Sequence, residues 1–269
     1  MITRIQTLPS HVSFISSSQV ASSYKNTLNL FSHHSEDPFC TFNFESDINN
    51  LAWSSTGQIL IVEQTNSFIL TYNGVEYVKT LLCSQNIPFT RCSFSNNGEY
   101  LVLGDINGQL TVYMLNGAEW TCILEYNIQS YVQCLQLINI NEQQCVLACN
   151  GVGEVYVINL ITQQVFNNQL KERINCVALF KNKLYFGLRN GEIGISQLNT
   201  DGSVEEAVYV KGKTLREMCS TKQQIVGIDF DNNMYTMEDM KLMDTKALKC
   251  QLVEDKIGVV HENGDVRFM

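Results

Sequence analysis

The chain has 269 residues, 45% hydrophobic and only 17% charged, with three prolines. That is the reverse of a disordered composition and supplies apolar surface for a substantial core. Eighteen Lys plus Arg against 27 Asp plus Glu leave a formal charge of −9, which argues against a general duplex or RNA binder, because such proteins draw non-specific affinity from basic surface. No apolar run approaches the roughly 18 residues needed to cross a bilayer. The opening MITRIQTLP has no signal-peptide core, so the expected location is intracellular, cytoplasmic or nuclear.

In chain order, residues 2–6 read as a lone short strand. Seven copies of one phrase follow: an apolar run, a polar turn, a second apolar run, a tight Gly or Asn turn, and a third apolar run. They begin at Val12 (VSFISSSQVASSYKNTLNLFS), Leu51 (LAWSSTGQILIVEQTNSFILTYN), Cys92 (CSFSNNGEYLVLGDINGQLTVYML), Cys134 (CLQLININEQQCVLACNGVGEVYVINL), Cys176 (CVALFKNKLYFGLRNGEIGISQL), Met218 (MCSTKQQIVGIDFDNNMYTM) and Cys250 (CQLVEDKIGVVHENGDVRFM). In the clearest copy the turn Asp105-Ile106-Asn107-Gly108 supplies residues that tolerate the positive φ of a short hairpin. The copies start 39, 41, 42, 42, 42 and 32 residues apart, close to the period of four-stranded propeller blades. Most carry a fourth apolar stretch, as at residues 120–126 and 204–210.

The last copy has room for three strands. Only 19 residues follow Cys250, so residues 2–6 are expected to pair with residues 265–269 and close a ring, removing the two exposed edges of an open array. The expected fold is all-β: a seven-bladed β-propeller of four-stranded antiparallel blades, one domain over residues 1–269, with the N-terminal strand completing the last blade. A six-bladed ring with one copy used elsewhere is the structural alternative.

On period, hairpin order and terminal overlap, the chain resembles the WD-repeat β-propeller family over essentially its whole length, as a divergent relative. No Trp-Asp pair closes a third run, where Tyr72-Asn73, Met114-Leu115, Asn159-Leu160 and Gln197-Leu198 stand, and no Gly-His pair introduces a blade. The resemblance implies that peptides are held around the central channel. On that face the turns between second and third strands and the links leading into each inner strand emerge together.

Ten cysteines carry no CxxC pair, and reduced, buried thiols are expected. Cys92, Cys134, Cys176 and Cys250 recur where Val12, Leu51 and Met218 stand in other copies, which favours packing over ligation. Cys145 and Cys149 share one strand face without a histidine partner. His33 and His34 fall in a polar loop beside Ser35, Glu36 and Asp37. No GxSxG, HExxH, P-loop or EF-hand pattern occurs, and Gly151-Val152-Gly153 reads as a hairpin turn. No catalytic group, metal or cofactor is expected. Trp53 reads as core and Trp120 as exposed on an outer strand.

The remaining candidates lie on the rim. The links carry Arg91, Arg173, Lys213, Arg216, Lys246 and Lys249, and the turns carry Arg189 and His261. A basic collar on a chain of charge −9 would suit an acidic or phosphorylated peptide, because arginine makes paired hydrogen bonds to carboxylate or phosphate. The other reading is ordinary solvated charge beside Glu172, Glu217 and Asp244. Phe89 and Tyr131, in adjacent links, are either partner anchors or packing between blades. The leading functional reading is a non-catalytic interaction scaffold, a subunit of an intracellular multiprotein complex whose partners are proteins. Two readings compete with it. One is a propeller enzyme with a site at the channel mouth built from Asp105, Asp229, His261 and Arg189. The other is an RNA binder using the collar, with Phe89 and Tyr131 stacking on bases.

Overall fold

Each copy of the repeat folds as one antiparallel four-stranded sheet. The computed structural model describes residues 3–4, 11–16, 19–32, 35, 37–95, 97–237, 240–253, 256–261 and 265–268, and 28 strands among them make seven such sheets, with no helix among the described residues. Blade 1 comprises His11–Ser16, Gln19–Tyr24, Thr27–Ser32 and Cys40–Asn43. Blade 2 comprises Asn50–Trp53, Ile59–Val62, Asn66–Tyr72 and Tyr77–Ser84. Blade 3 runs through Phe89–Phe94, Tyr100–Asp105, Gln109–Asn116 and Glu119–Asn127, and blade 4 through Val132–Ile140, Gln143–Asn150, Glu154–Asn159 and Val165–Gln169. Blade 5 holds Ile174–Phe180, Lys183–Leu188, Glu192–Gln197 and Val208–Lys211. Blade 6 holds Leu215–Ser220, Ile225–Asp229, Asn233–Thr236 and Leu242–Thr245.

Blade 7 closes the ring. Its first three strands are Ala247–Val253, Lys256–His261 and Asp265–Phe268, and its fourth is Thr3–Arg4, with Thr3 opposite Val266 and Arg4 opposite Asp265. Ile2, Ile5, Gln6 and Met269, also expected in this pairing, lie outside the described residues. The first strand of every blade touches the first strands of the two blades beside it, blade 7 against blade 1 included, so these strands form the inner wall. The chain is a seven-bladed β-propeller, and the six-bladed alternative is excluded.

The burial pattern follows from this geometry. Second strands are covered on both faces by neighbouring blades and are buried along most of their length, and throughout in Ile59–Val62 and Ile225–Asp229, which is why they read as apolar runs. Outer strands such as Glu119–Asn127 have most of their residues in contact with water. The core is a series of layers between blades. Leu60, Val62, Phe89 and Leu103 pack between blades 2 and 3, and Leu147, Val157, Phe186 and Leu188 between blades 4 and 5.

A feature invisible in the repeat arithmetic sets the register. The inner strands of blades 3 to 7 each contain a bulge, at Thr90, Gln133, Asn175, Arg216 and Leu248. Measured from the end of the second strand, Cys92 and Cys250 share one level, opposite Leu103 and Val259. Cys134 and Cys176 lie one residue nearer the bulge, opposite Cys149 and Gly187. A one-residue offset in a strand turns a side chain to the other face. Cys92 and Cys250 accordingly pack toward the preceding blade, and Cys134 and Cys176 toward the following one. All four are buried thiols, as expected, but the single shared position read from the sequence is corrected to two.

Candidate functional site

The end of the ring that bears the second-to-third turns is built by a recurrent cap. The last residue of the second strand turns its side chain back on the loop that follows. Asp105 Oδ1 accepts from the backbone N–H of Asn107 (2.8 Å) and Gln109 (2.9 Å). Asn150 Oδ1 accepts from Val152 (3.1 Å) and Glu154 (3.0 Å). Asp229 Oδ1 accepts from Asp231 (2.9 Å) and Asn233 (2.8 Å). The fourth turn position then takes φ near +90° at Gly108, Gly153 and Gly191 and +64° at Asn232, where glycine and asparagine fit without the penalty other side chains incur.

These turns press against the links between blades. A Cβ added to Gly108 would lie 2.5 Å from Ser130 O, and one added to Gly151 would lie 1.9 Å from Tyr131 Cε1. The link into blade 4 is therefore seated in both turns, and the Tyr131 ring rests on the Gly151 backbone with its outer face in water. The residues at the turn tips point away from the ring. Ile106, Val152 and Phe230, together with Tyr131, are 40–61% exposed. Tyr24 occupies the blade 1 turn and is exposed as well. The sequence placed Ile106 and Val152 in turns without marking any of the three tips as a binding residue. The available signal was an Asx residue ending a buried strand, with an apolar residue one or two positions on where turn chemistry calls for a polar one.

The expected collar resolves into two groups. Arg91 is turned inward, its Nε donating to Gln133 O and an Nη to Thr90 O, both at 2.8 Å. Arg216 Nη2 donates to Ala247 O (2.9 Å) and Leu248 O (2.7 Å) of the next blade. They belong to a row of side chains, in the inner strands or at their entry, that tie one blade to the next: Asn49 Nδ2 to Phe89 O, Thr90 Oγ1 to Val132 O, and Gln133 Nε2 to Asn175 O. Lys249 Nζ sits 2.5 Å from Glu217 Oε1. Burial pulls its ammonium down, but the charge and hydrogen bond of Glu217 outweigh this and hold it above the usual lysine range. These three cations belong to the frame. Arg173, Arg189, Lys213 and Lys246 are exposed.

The other candidates divide as sharply. Phe89 is 2% exposed and packs among Leu60, Val62 and Leu103, so it is no surface anchor; the bulge at Thr90 turns it between blades. His261 is buried, its Nε2 3.4 Å from Asp244 Oδ2. Asp105 and Asp229 serve their own turns. Of the four groups proposed for a channel-mouth enzyme, Asp105, Asp229 and His261 are buried and Arg189 is exposed. Trp120 is half-buried, 5.9 Å from the Phe94 ring, and not a free outer face, while Trp53 packs partly buried against the layer between blades 1 and 2. His33, His34 and Glu36 lie outside the described residues. Among the described residues no cluster of three or more His, Cys, Asp or Glu is placed to hold a metal ion.

Burial lifts the Cys92 thiol far above its usual range and pushes Cys145 up to about 11; Cys176 is raised for the same reason. Cys149 is raised by its hydrogen bond with Cys134 and then by burial. Neutral, inert thiols follow.

Ring, caps and link packing define a seven-bladed β-propeller with one mixed apolar and basic face. Comparison with known proteins extends this only as far as the fold. A computationally designed protein, Ika8, superimposes on 98% of this chain and 84% of its own with a TM-score of 0.75, at 14% sequence identity. No family model matches the chain, and no curated protein does.

Proposed function

We propose that this chain is a non-catalytic interaction scaffold, a divergent WD-repeat-like propeller that holds protein partners of an intracellular multiprotein assembly on its second-to-third turn face. The observation that carries the reading is the set of apolar tips. Ile106, Tyr131 and Val152 stand exposed on adjacent blades, fixed from below by side-chain caps and by the Gly151 seat. Apolar side chains grouped on one surface and held in place are what a protein interface needs at its centre, where aromatic anchors contribute most of the affinity. On this face Asp105 and Asp229 are engaged by their own turns, and Arg91, Arg216 and Lys249 by the frame.

The test is affinity capture from source cells with Ile106→Asp/Tyr131→Asp, compared with Ile161→Asp. Ile161 is a 69% exposed residue at the opposite end of blade 4. Specific partners recovered by the wild type should be lost from the first variant and kept by the second. Loss from Ile161→Asp, or retention by both, would overturn the assignment of the face.

A further inference from the structure

The blade 5 turn interrupts the apolar tips. Where blades 3, 4 and 6 present Ile106, Val152 and Phe230, blade 5 presents Arg189. The packing that seats Tyr131 on blade 4 brings two further cations here. Arg189 N donates to Arg173 O at 3.0 Å, which places Arg173 directly beside it. On the other side Gly191, at φ +84°, approaches the next link so closely that a Cβ would lie 3.2 Å from Thr214 Oγ1 and 3.8 Å from the Lys213 carbonyl carbon. Gly212 N donates to Gly191 O at 3.1 Å. Three exposed cations thus surround one turn, and no described residue pairs with their side chains.

The carboxylates nearby are occupied. Glu192 accepts from Lys171 Nζ (2.9 Å) and Asn190 Nδ2 (2.6 Å), and these bonds hold it below the usual carboxylate range. Glu172 Oε1 accepts the backbone N–H of Arg173 at 2.8 Å. The cations of the neighbouring inner strands, Arg91, Arg216 and Lys249, are turned to backbone carbonyls or to Glu217. Lys171 neutralises Glu192 and the charge of Glu172 offsets one of the three cations, so the turn keeps an excess of positive charge, which repels itself until an anion neutralises it.

The geometry points to a phosphate-monoester site: a phosphorylated serine or threonine of the rim's partner, held by Arg173, Arg189 and Lys213, with apolar neighbours seated against Tyr131 and Val152 on one side and Phe230 on the other. This rests on the scaffold reading of the same face. A phosphate dianion balances three cations better than a single carboxylate, and the guanidinium fork donates paired N–H bonds to its oxygens. The patch is confined to one turn and its two links, whereas a nucleic acid presents phosphates in a row and needs cations along a track.

Affinity selection by the intact protein from an oriented peptide library tests this, with serine, phosphoserine, phosphothreonine or glutamate at the fixed position. Free inorganic phosphate and a single-stranded oligouridylate serve as further probes. The phosphorylated pools should be enriched ~10-fold or more over the serine and glutamate pools, and Arg173→Gln/Arg189→Gln should abolish that enrichment. Lys181→Gln/Lys183→Gln, at the other end of the blade, should leave it intact. Equal selection of the pools, survival in the arginine variant, or tighter binding of oligouridylate than of any peptide would overturn the site. So would equal occupancy by free phosphate and phosphopeptide. Partner capture lost in Ile106→Asp/Tyr131→Asp but kept in Arg173→Gln/Arg189→Gln would remove the phosphate site and leave the scaffold standing. Wild-type melting curves establish that each surface variant is folded.

Discussion

Replacing Asp105 with alanine takes away the single oxygen on which the blade 3 turn is built. Oδ1 accepts two backbone N–H groups at 2.8 and 2.9 Å, and the residue is 2% exposed. Hydrogen bonds to a charged acceptor contribute about 1.5–3 kcal/mol each. Asn107 is exposed, so its freed N–H returns to water and the total falls toward the lower end, about 2–4 kcal/mol. Asp105→Asn keeps the acceptor, as Asn150 does natively in blade 4, and should cost less than about 1 kcal/mol. The alanine variant's loss, in a domain of this length, lowers the melting temperature by about 5–12 °C, readable by circular dichroism or by urea titration. Because the cap also aims Ile106, Asp105→Ala should weaken partner capture and Asp105→Asn should not. An alanine variant as stable as the wild type, or an asparagine variant as damaged as the alanine one, would refute the cap as the origin of the rim.

Gly151→Ala should displace the Tyr131 ring, since the new Cβ would occupy its Cε1 position; capture should fall as in Tyr131→Ala, and Gly151→Ala/Tyr131→Ala should recover the stability but not the binding. Gly104→Ala would set a methyl 2.8–2.9 Å from three atoms of Val132 in the next blade, an overpacking cost of about 1–3 kcal/mol in urea denaturation; Val132→Ala added to it should restore part of that loss, and no restoration would refute direct contact. Unfolded thiols ionise near pH 8.5, while burial pushes Cys145 up to about 11 and holds Cys92 and Cys176 well above the usual thiol range. Their contribution is whole below pH 8.5 and drains away as pH rises toward 11, so the urea midpoint should fall between pH 9 and 11, less steeply in Cys145→Ala. A midpoint level over that range would contradict the burial of these groups.

The ring was legible because its signals are local. Alternation, Gly or Asn turns and a period near 42 each follow from one strand or one hairpin, and the truncated last copy pointed directly at Thr3 and Arg4. The bulges were not legible: Thr90, Gln133, Asn175 and Arg216 are polar, as many loop residues are, Leu248 is not, and the bulge exists only in the pairing of two strands. Missing it aligned Cys134 with Cys92 and left Phe89 undecided between a partner anchor and packing between blades, of which the structure shows the second. The collar divided into framework and exposed cations for a related reason. A basic letter in a link does not say whether its guanidinium meets solvent, as at Arg189, or the carbonyl of the next blade, as at Arg216. Ile106 and Val152 were legible as turn residues, but an apolar letter in a turn does not say whether its side chain folds onto the protein or stands in solvent.

Hydrogen exchange of the intact chain, free and bound to a captured partner or selected phosphopeptide, addresses the central claim most directly. Binding through the capped turns predicts slowed exchange at residues 104–109, 129–133, 150–154 and 188–191, with residues 54–58, 141–143, 181–183 and 221–224 at the other end unchanged. Slowing confined to that other end, or to the outer strands, would contradict it.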